Sequence, residues 1–121
     1  MPPVKLGPAA LVRFSSAAQV HPVVAARWTR RLAPAVVIAA NDGYLPGRVN
    51  FALRSAAPAD LLAWLRRLPF APAHEGEYAN GHARATGGSL TPDDFERFLA
   101  AVRESAPVSY THLTLPTKRI V

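Results

Sequence analysis

A short apolar run, Val36-Val37-Ile38-Ala39-Ala40, constrains the fold more than any other segment of the chain. Pro34 precedes the run, and the turn-forming residues Asn41-Asp42-Gly43 follow it. The run is too short for a typical helix, rich in β-branched residues and apolar on both faces. Strands of this kind lie in sheets that are covered by helices on both sides. The sequence therefore predicts an α/β fold.

The segments before this run show one strand pattern and one helix pattern. Leu11 to Ser15 is a short apolar stretch that predicts a strand. Val24, Trp28 and Leu32 then recur at every fourth position, which is typical of an amphipathic helix. A strand followed by a helix and a second strand supports the α/β interpretation.

From Arg48 onward, the pattern changes to an alternation of apolar and other residues. Val49, Phe51 and Leu53 point to one side of a predicted strand. We expect that strand to be half-buried, with a basic outer face. The residues of this face are Arg48, Asn50, Ala52 and Arg54.

Two further helices are predicted in the second half of the chain. The first of them begins at Pro58. The second follows the N-cap Thr91, with Pro92 at its first position and the carboxylates of Asp93 and Asp94 at its positive end. We expect a single small domain with a mixed sheet of about four to five strands, packed by about three helices.

Length and composition exclude several classes of protein. A chain of 121 residues allows one domain, and the absence of cysteine excludes disulfides, thiolate zinc sites and thiol nucleophiles. The four histidines lack metal-ligand spacing. No stretch has the roughly 18 apolar residues of a membrane helix, and residues 1–7 lack the pattern of an export signal. We therefore expect a cytoplasmic protein without a membrane partner.

Residues 108–121 differ in composition from the chain that precedes them. The first 107 residues contain eleven arginines and one lysine and are rich in alanine, whereas residues 108–121 contain no alanine. Val108 to Thr117 resembles, residue for residue, one reading frame of a transposase adapter used in sequencing libraries. We interpret residues 108–121 as adapter-derived and without native structure; a genuine edge strand is the alternative. Without them, twelve basic and eight acidic residues leave a net charge of +4.

The most distinctive candidate for ligand binding is Asn80-Gly81-His82-Ala83-Arg84-Ala85-Thr86-Gly87-Gly88. Glycines allow a backbone to approach a ligand closely and to direct successive amides at an anion. A neighbouring histidine or arginine adds charge or a hydrogen bond, so the pattern indicates phosphate binding. Taken alone, a glycine-rich turn with a surface histidine is the more common explanation, and Gly87-Gly88 fits a bulge that leads into a strand equally well.

A second segment upstream, Gly47-Arg48-Val49-Asn50-Phe51-Ala52-Leu53-Arg54-Ser55, changes this interpretation. A strand Gly-Arg-Val-x-Phe-x-x-Arg-Ser, a helix, Gly-His-x-x-Ala-x-Gly, a short strand and a closing helix follow one another. This order resembles the DHH-associated C-terminal domain of DHH-superfamily phosphoesterases, to which RecJ-type single-strand exonucleases belong. The resemblance covers residues 11–105. It departs from the family at Asn80, where glycine is usual.

The resemblance implies that substrate binding and catalysis belong to two separate domains. We expect a flexible, proline-marked leader over residues 1–10 and a DHH-associated substrate-binding domain over residues 11–107. In such enzymes, this domain grips the phosphate-bearing substrate across a cleft from an N-terminal catalytic domain, whose aspartates and paired histidines hold manganese. No Asp-His-His run occurs in this sequence. We therefore expect a fragment that binds substrate without hydrolysing it, with no cofactor, catalytic residue or metal ligand of its own.

The resemblance also assigns site residues. Gly81 and His82 match the motif that meets a substrate phosphate, and Arg54 and Ser55 match the lining of the same cleft. The expected substrate-binding residues are Arg48, Asn50, Arg54, Ser55, Asn80, Gly81, His82, Arg84 and Gly87.

The expected partner is single-stranded nucleic acid or an oligonucleotide, and the expected parent enzyme is a RecJ-like exonuclease. DNA, RNA and a small phosphoester all fit this description. One alternative is a freestanding basic module for single-stranded nucleic acid, because a net charge of +4 and a basic strand face give an electrostatic footprint. The other alternative is a truncated reading frame without function.

Overall fold

A computed structural model describes residues 3–32, 36–55, 60–82 and 85–105. Across these described residues, six strands and three helices confirm the α/β class, with one strand more than the upper end of the prediction. Their order is β1 (Val4–Leu6), β2 (Ala9–Phe14), α1 (His21–Leu32), β3 (Val36–Asn41), β4 (Val49–Arg54), α2 (Leu61–Arg67), β5 (Glu77–His82), β6 (Ala85–Leu90) and α3 (Pro92–Arg103).

The strands form one mixed sheet in the order β1-β2-β3-β4-β6-β5. β2 and β3 are parallel, and every other neighbouring pair is antiparallel. Parallel neighbours require a crossover connection, which α1 supplies between β2 and β3. On that side of the sheet, Ala25 of α1 packs against Ala39 and Ala52. These small side chains let the helix lie close to β3 and β4.

α2 and α3 cover the opposite face of the sheet, where the main core lies. The Phe51 ring centroid of β4 is 5.4 Å from that of Phe95 and 5.1 Å from that of Phe98, both on α3. β3 is buried along its whole length, as a strand with helices on both sides should be. Other fully buried members of this core are Ile38, Leu53, Leu61, Leu65, Leu90 and Val102.

The N-terminus of α3 follows the predicted capping pattern. The Thr91 hydroxyl accepts a hydrogen bond from the Asp94 amide at 3.2 Å, and Pro92 is the first residue of the helix. α3 therefore begins where local sequence chemistry places it.

Asp94 does more than complement the positive end of α3. Its buried carboxylate accepts hydrogen bonds from the amides of Ala73 (3.1 Å) and His74 (2.9 Å) and from the Arg97 guanidinium (2.8 Å). Burial raises the pKa of Asp94, but these hydrogen bonds, together with the His74 side chain, outweigh it and lower the pKa to about 2. Asp94 therefore anchors the loop of residues 71–76 to α3.

The start of the chain is more ordered than the sequence predicts. Instead of a flexible leader over residues 1–10, residues 4–6 form β1, which pairs with β2, and Leu6 is buried. Gly7 makes the turn between them at φ +57°, and a Cβ atom there would lie 2.7 Å from the Arg103 carbonyl oxygen. Pro3 precedes this tight hairpin and Pro8 lies in its turn, and the hairpin packs on the end of α3. The predicted adapter-derived tail lies outside the described residues.

Candidate nucleic-acid interface

The sheet face beside α1 carries an open groove of about 300 Å³. α1 packs against β3 and β4, and the groove lies where the sheet continues into β6 next to the start of the helix. A volume of this size is at the lower end of the range for small-ligand sites. The lining residues come from the start of α1 (Gln19, His21, Pro22), from β4 (Asn50–Arg54), from β5 (Glu77) and from β6 (Thr86–Ser89). We call this feature the α1 groove.

The floor of the α1 groove is low because two neighbouring residues have small side chains. Gly87 of β6 lies opposite Ala52 of β4. A Cβ atom on Gly87 would collide with the carbonyl oxygen of Phe51, so the close approach of β4 and β6 requires glycine at this position. The predicted site residue Gly87 therefore shapes the floor, and it does so from inside a strand rather than from a turn.

The sheet brings together the two segments that the sequence singles out. Ala85 of β6 pairs with Arg54 of β4 on one side and with His82 of β5 on the other. Arg54 and His82 therefore occupy the same row of the sheet, two strand spacings apart, or about 10 Å between their Cα atoms. The upstream arginine strand and the glycine-histidine segment thus share one end of the sheet.

Arg54 is the exposed cation of the α1 groove. It is the only exposed residue of β4 and lies at the end of that strand. The structure shows no ion pair between Arg54 and any carboxylate in the described ranges. Its guanidinium is therefore available to an anionic ligand.

Arg48 has a different role from the one that strand alternation predicts. Its guanidinium donates hydrogen bonds to the Ser89 carbonyl at 2.6 Å, the Ser89 hydroxyl at 3.1 Å and the Glu75 carbonyl at 2.7 Å. Arg48 does not line the α1 groove. It ties the start of β4 to β6 and to the loop before β5, so the predicted basic face is reduced to Arg54.

The other face residues of β4 are buried rather than exposed. The exposed fraction of both Asn50 and Ala52 is 8%. The expectation of a half-buried strand is wrong here because α1 packs over this face of β4. Asn50 nevertheless lines the α1 groove, and its Oδ1 atom has no hydrogen-bond partner among the residues that the structure describes.

His21 is a further residue of the α1 groove. It is the first residue of α1, it lines the groove beside Asn50, and its exposed fraction is 6%. Its Nδ1 atom also lacks a hydrogen-bond partner in the described part of the chain. Burial lowers the pKa of His21, which favours the neutral imidazole. No local signal reveals this role, because the position of α1 over β4 is a tertiary feature.

Asn41 holds the start of α1 in place. Its Oδ1 atom accepts hydrogen bonds from the amides of Ser16 (2.9 Å) and Gly43 (3.0 Å), and its Nδ2 donates one to the Ala18 carbonyl (3.0 Å). The side chain is fully buried at the end of β3. The predicted Asn-Asp-Gly turn thus also fixes the loop of residues 15–20, and with it His21.

The remaining predicted site residues lie in or near β5. The backbones of Asn80, Gly81 and His82 belong to that strand, and Arg84 lies outside the described residues. The buried Ser55 hydroxyl has no hydrogen-bond partner within the described ranges and does not line the groove.

β5 is a strand that the sequence pattern does not predict. Its pairing with β6 shifts by one residue between Glu77 and Asn80, and Ala79 has a φ of 59° at this bulge. The bulge interrupts the alternation from which a strand would be predicted. The bulge thus lies in β5, opposite the Gly87-Gly88 position considered from the sequence.

Within residues 3–32, 36–55, 60–82 and 85–105, no three His, Cys, Asp or Glu side chains are grouped to hold a metal ion. In the same ranges, no helix combines the length and the apolar composition that crossing a membrane requires.

Comparison with known proteins gives a match at the level of the fold. No protein-family model matches the chain, and no curated protein sequence matches it. Among solved structures, it is similar to the crystal structure of the C-Ala domain from Aquifex aeolicus alanyl-tRNA synthetase, with a TM-score of 0.51 and 14% sequence identity. The match covers 85% of this chain and 99% of that one. At this identity, the similarity establishes a shared small α/β fold.

Proposed function

We propose that this chain is a nucleic-acid-binding domain that holds a single strand in the α1 groove. Arg54 carries this proposal, because it presents a cation at the open end of the groove without an ion-pair partner among the described carboxylates. An exposed guanidinium is well suited to a phosphate oxygen. The net charge of +4 for residues 1–107, from twelve basic and eight acidic residues, favours the approach of a polyanion.

The fold comparison supports a nucleic-acid partner. The similar structure is a domain of an alanyl-tRNA synthetase, an enzyme whose name identifies tRNA as its substrate. Among the residues that the structure describes, the groove provides one cation and a set of hydrogen-bonding groups rather than a row of stacking aromatics. We therefore expect modest affinity with a shallow dependence on salt, because one phosphate contact with a single strand contributes a slope of only about 0.7.

A second candidate function is the DHH-associated domain of a metal-dependent phosphoesterase. The observation that favours it is the row Arg54, Ala85 and His82, in which the two segments of the resemblance meet. In this case, the domain would grip the phosphate of a substrate that a separate, manganese-holding domain cleaves. Both candidates require the α1 groove to bind phosphate-bearing strands, and they differ in whether such a domain exists in the intact protein.

The test is a binding titration with fluorescent single strands of about ten nucleotides, in both RNA and DNA forms. We expect Arg54→Ala to weaken binding by about tenfold, the equivalent of one charge-assisted hydrogen bond. We also expect the slope of log K against log salt to fall by about 0.7 when one phosphate contact with a single strand is lost.

Arg66→Ala is the matched control. Arg66 is an exposed arginine in the last turn of α2, which packs on the opposite face of the sheet. Equal effects of the two variants would attribute binding to overall charge rather than to the α1 groove. Absence of binding by the unmodified chain would contradict both candidates and support a truncated reading frame without function.

A further inference from the structure

The two ends of the α1 groove differ in chemistry. Arg54 marks one end, and four residue steps along β4, or roughly 13 Å, lead to Asn50 at the other. There the side chains of Asn50 and His21 are more than nine-tenths buried. Each carries an atom, Oδ1 or Nδ1, with no hydrogen-bond partner among the residues described. Buried polar atoms are nearly always hydrogen-bonded, so this pair indicates a ligand.

The chemistry of the buried end disfavours a phosphate. Asn50 Oδ1 can only accept a hydrogen bond, and a phosphodiester oxygen has no proton to donate.

A neutral group that both donates and accepts hydrogen bonds suits these atoms. Neutral imidazole has one donor nitrogen and one acceptor nitrogen, and a side-chain amide has both kinds of atom. A ribose hydroxyl donates to Asn50 Oδ1 while accepting from His21, and a base edge such as that of adenine offers the same combination. Either group satisfies both side chains at once.

We infer that the buried end of the α1 groove binds the neutral, hydrogen-bonding part of a nucleotide, a ribose hydroxyl or a base edge, while Arg54 contacts the phosphate. The inference rests on the proposed function, because it presupposes that a nucleotide enters the groove. The inference adds an orientation of the nucleotide along β4: its phosphate lies at Arg54, and its neutral part lies at His21 and Asn50.

The experiment compares matched single strands on the full chain. One pair of strands shares its base sequence and differs only in the 2′-hydroxyl; a second pair shares ribose and differs in base, adenine against uracil. For the unmodified protein, we expect a preference of about fivefold within at least one pair, the value of one neutral hydrogen bond. Asn50→Ala should abolish that preference, and His21→Ala should reduce it.

The pair of strands for which Asn50→Ala loses the preference identifies the chemical group that binds at the buried end. Loss of the ribose preference identifies a hydroxyl, and loss of the base preference identifies a base edge. An unmodified protein that shows no preference within either pair, or an Asn50→Ala variant that retains the preference, overturns the inference. The salt slope of Arg54→Ala tests the proposed function separately, because it does not depend on either pair.

Thermal melting of the variants shows whether they are folded. Asn50→Ala removes an unpaired buried atom, so its melting temperature should equal or exceed that of the unmodified protein. If Asn50→Ala nevertheless fails to fold, Asn50→Ser, which keeps a small polar group in the strand, replaces it in the same comparison.

Discussion

Arg54 of β4 and His82 of β5 pair with the same residue, Ala85 of β6, from its two sides. The pairing places the exposed Arg54 of the otherwise buried β4 and the glycine-histidine segment of β5 in one row at one end of the sheet. At the other end, His21 and Asn50 enclose the buried part of the same groove.

The two buried asparagines of the sheet should respond to alanine substitution with opposite signs. Asn41→Ala removes three hydrogen bonds of a fully buried side chain, so we expect a loss of about 2–3 kcal/mol in the free energy of unfolding. Asn50→Ala removes an atom that lacks a partner among the described residues, so we expect no loss and a gain of up to about 1 kcal/mol. Urea denaturation measures both. A large destabilisation by Asn50→Ala would indicate a structural rather than a ligand-binding role.

The two arginines of the Gly47–Ser55 segment should separate stability from binding. Arg48→Ala breaks hydrogen bonds to Ser89 and Glu75, and we expect it to reduce the free energy of unfolding by about 1–2 kcal/mol. It should leave the salt slope of oligonucleotide binding unchanged, because Arg48 does not line the α1 groove. Arg54→Ala should show the reverse pattern. Denaturation and binding titrations of the two variants measure these effects. If Arg48→Ala lowered the slope of log K against log salt as much as Arg54→Ala, the assignment would be contradicted.

Ionised Asp94 should make the fold sensitive to acid. The pKa of Asp94 is lowered from 3.8 to about 2, so its ionised form stabilises the native state above the pKa of the unfolded chain. This contribution should be fully present above about pH 4 and disappear as the pH falls toward 2. Asp94→Asn should therefore be less stable than the unmodified chain near neutral pH, with a difference that narrows through this window. Thermal melting of both proteins between about pH 7 and pH 2 measures this difference in stability. A difference that does not change with pH would exclude the predicted link between the ionisation of Asp94 and folding.

Ala79 should tolerate glycine better than a larger residue. Its φ of 59° lies in the left-handed region, where an L-residue is disfavoured by about 1–2 kcal/mol. Ala79→Gly relieves this strain in the folded state, but glycine also increases the conformational entropy of the unfolded chain, which opposes folding. We therefore expect a net stabilisation of about 0.5 kcal/mol. Ala79→Val should destabilise the protein. Denaturation midpoints measure both changes, and a loss of stability in Ala79→Gly would contradict the assigned bulge geometry.

Local sequence chemistry was sufficient where one element determines its own structure. The cap at Thr91 and Pro92 needs no information from the rest of the chain, and α3 begins there as predicted. The apolar run from Val36 predicted a strand that helices cover on both faces, because burial on both sides excludes polar residues from either face.

The groove depended on relationships that the sequence pattern does not contain. Alternation placed Arg48 and Arg54 on one strand face, but only the packed structure shows that Arg48 is engaged by Ser89 and Glu75. The approach of His21 to Asn50 follows from the position of α1 over β4, which depends on the crossover and on strand order. β5 was missed because the bulge at Ala79 breaks the period of two.

Binding of a strand in the α1 groove is tested most directly by titrating the isotopically labelled chain with a short single-stranded RNA and recording the backbone-amide and side-chain NMR shifts. Binding in the α1 groove predicts that the largest shifts occur at Asn50, Arg54 and Ser89, including the Asn50 side-chain amide, while Arg66 and Arg67 of α2 stay unchanged. Shifts centred on α2, or no shifts at saturating RNA, would contradict the assignment of the α1 groove as a nucleic-acid site.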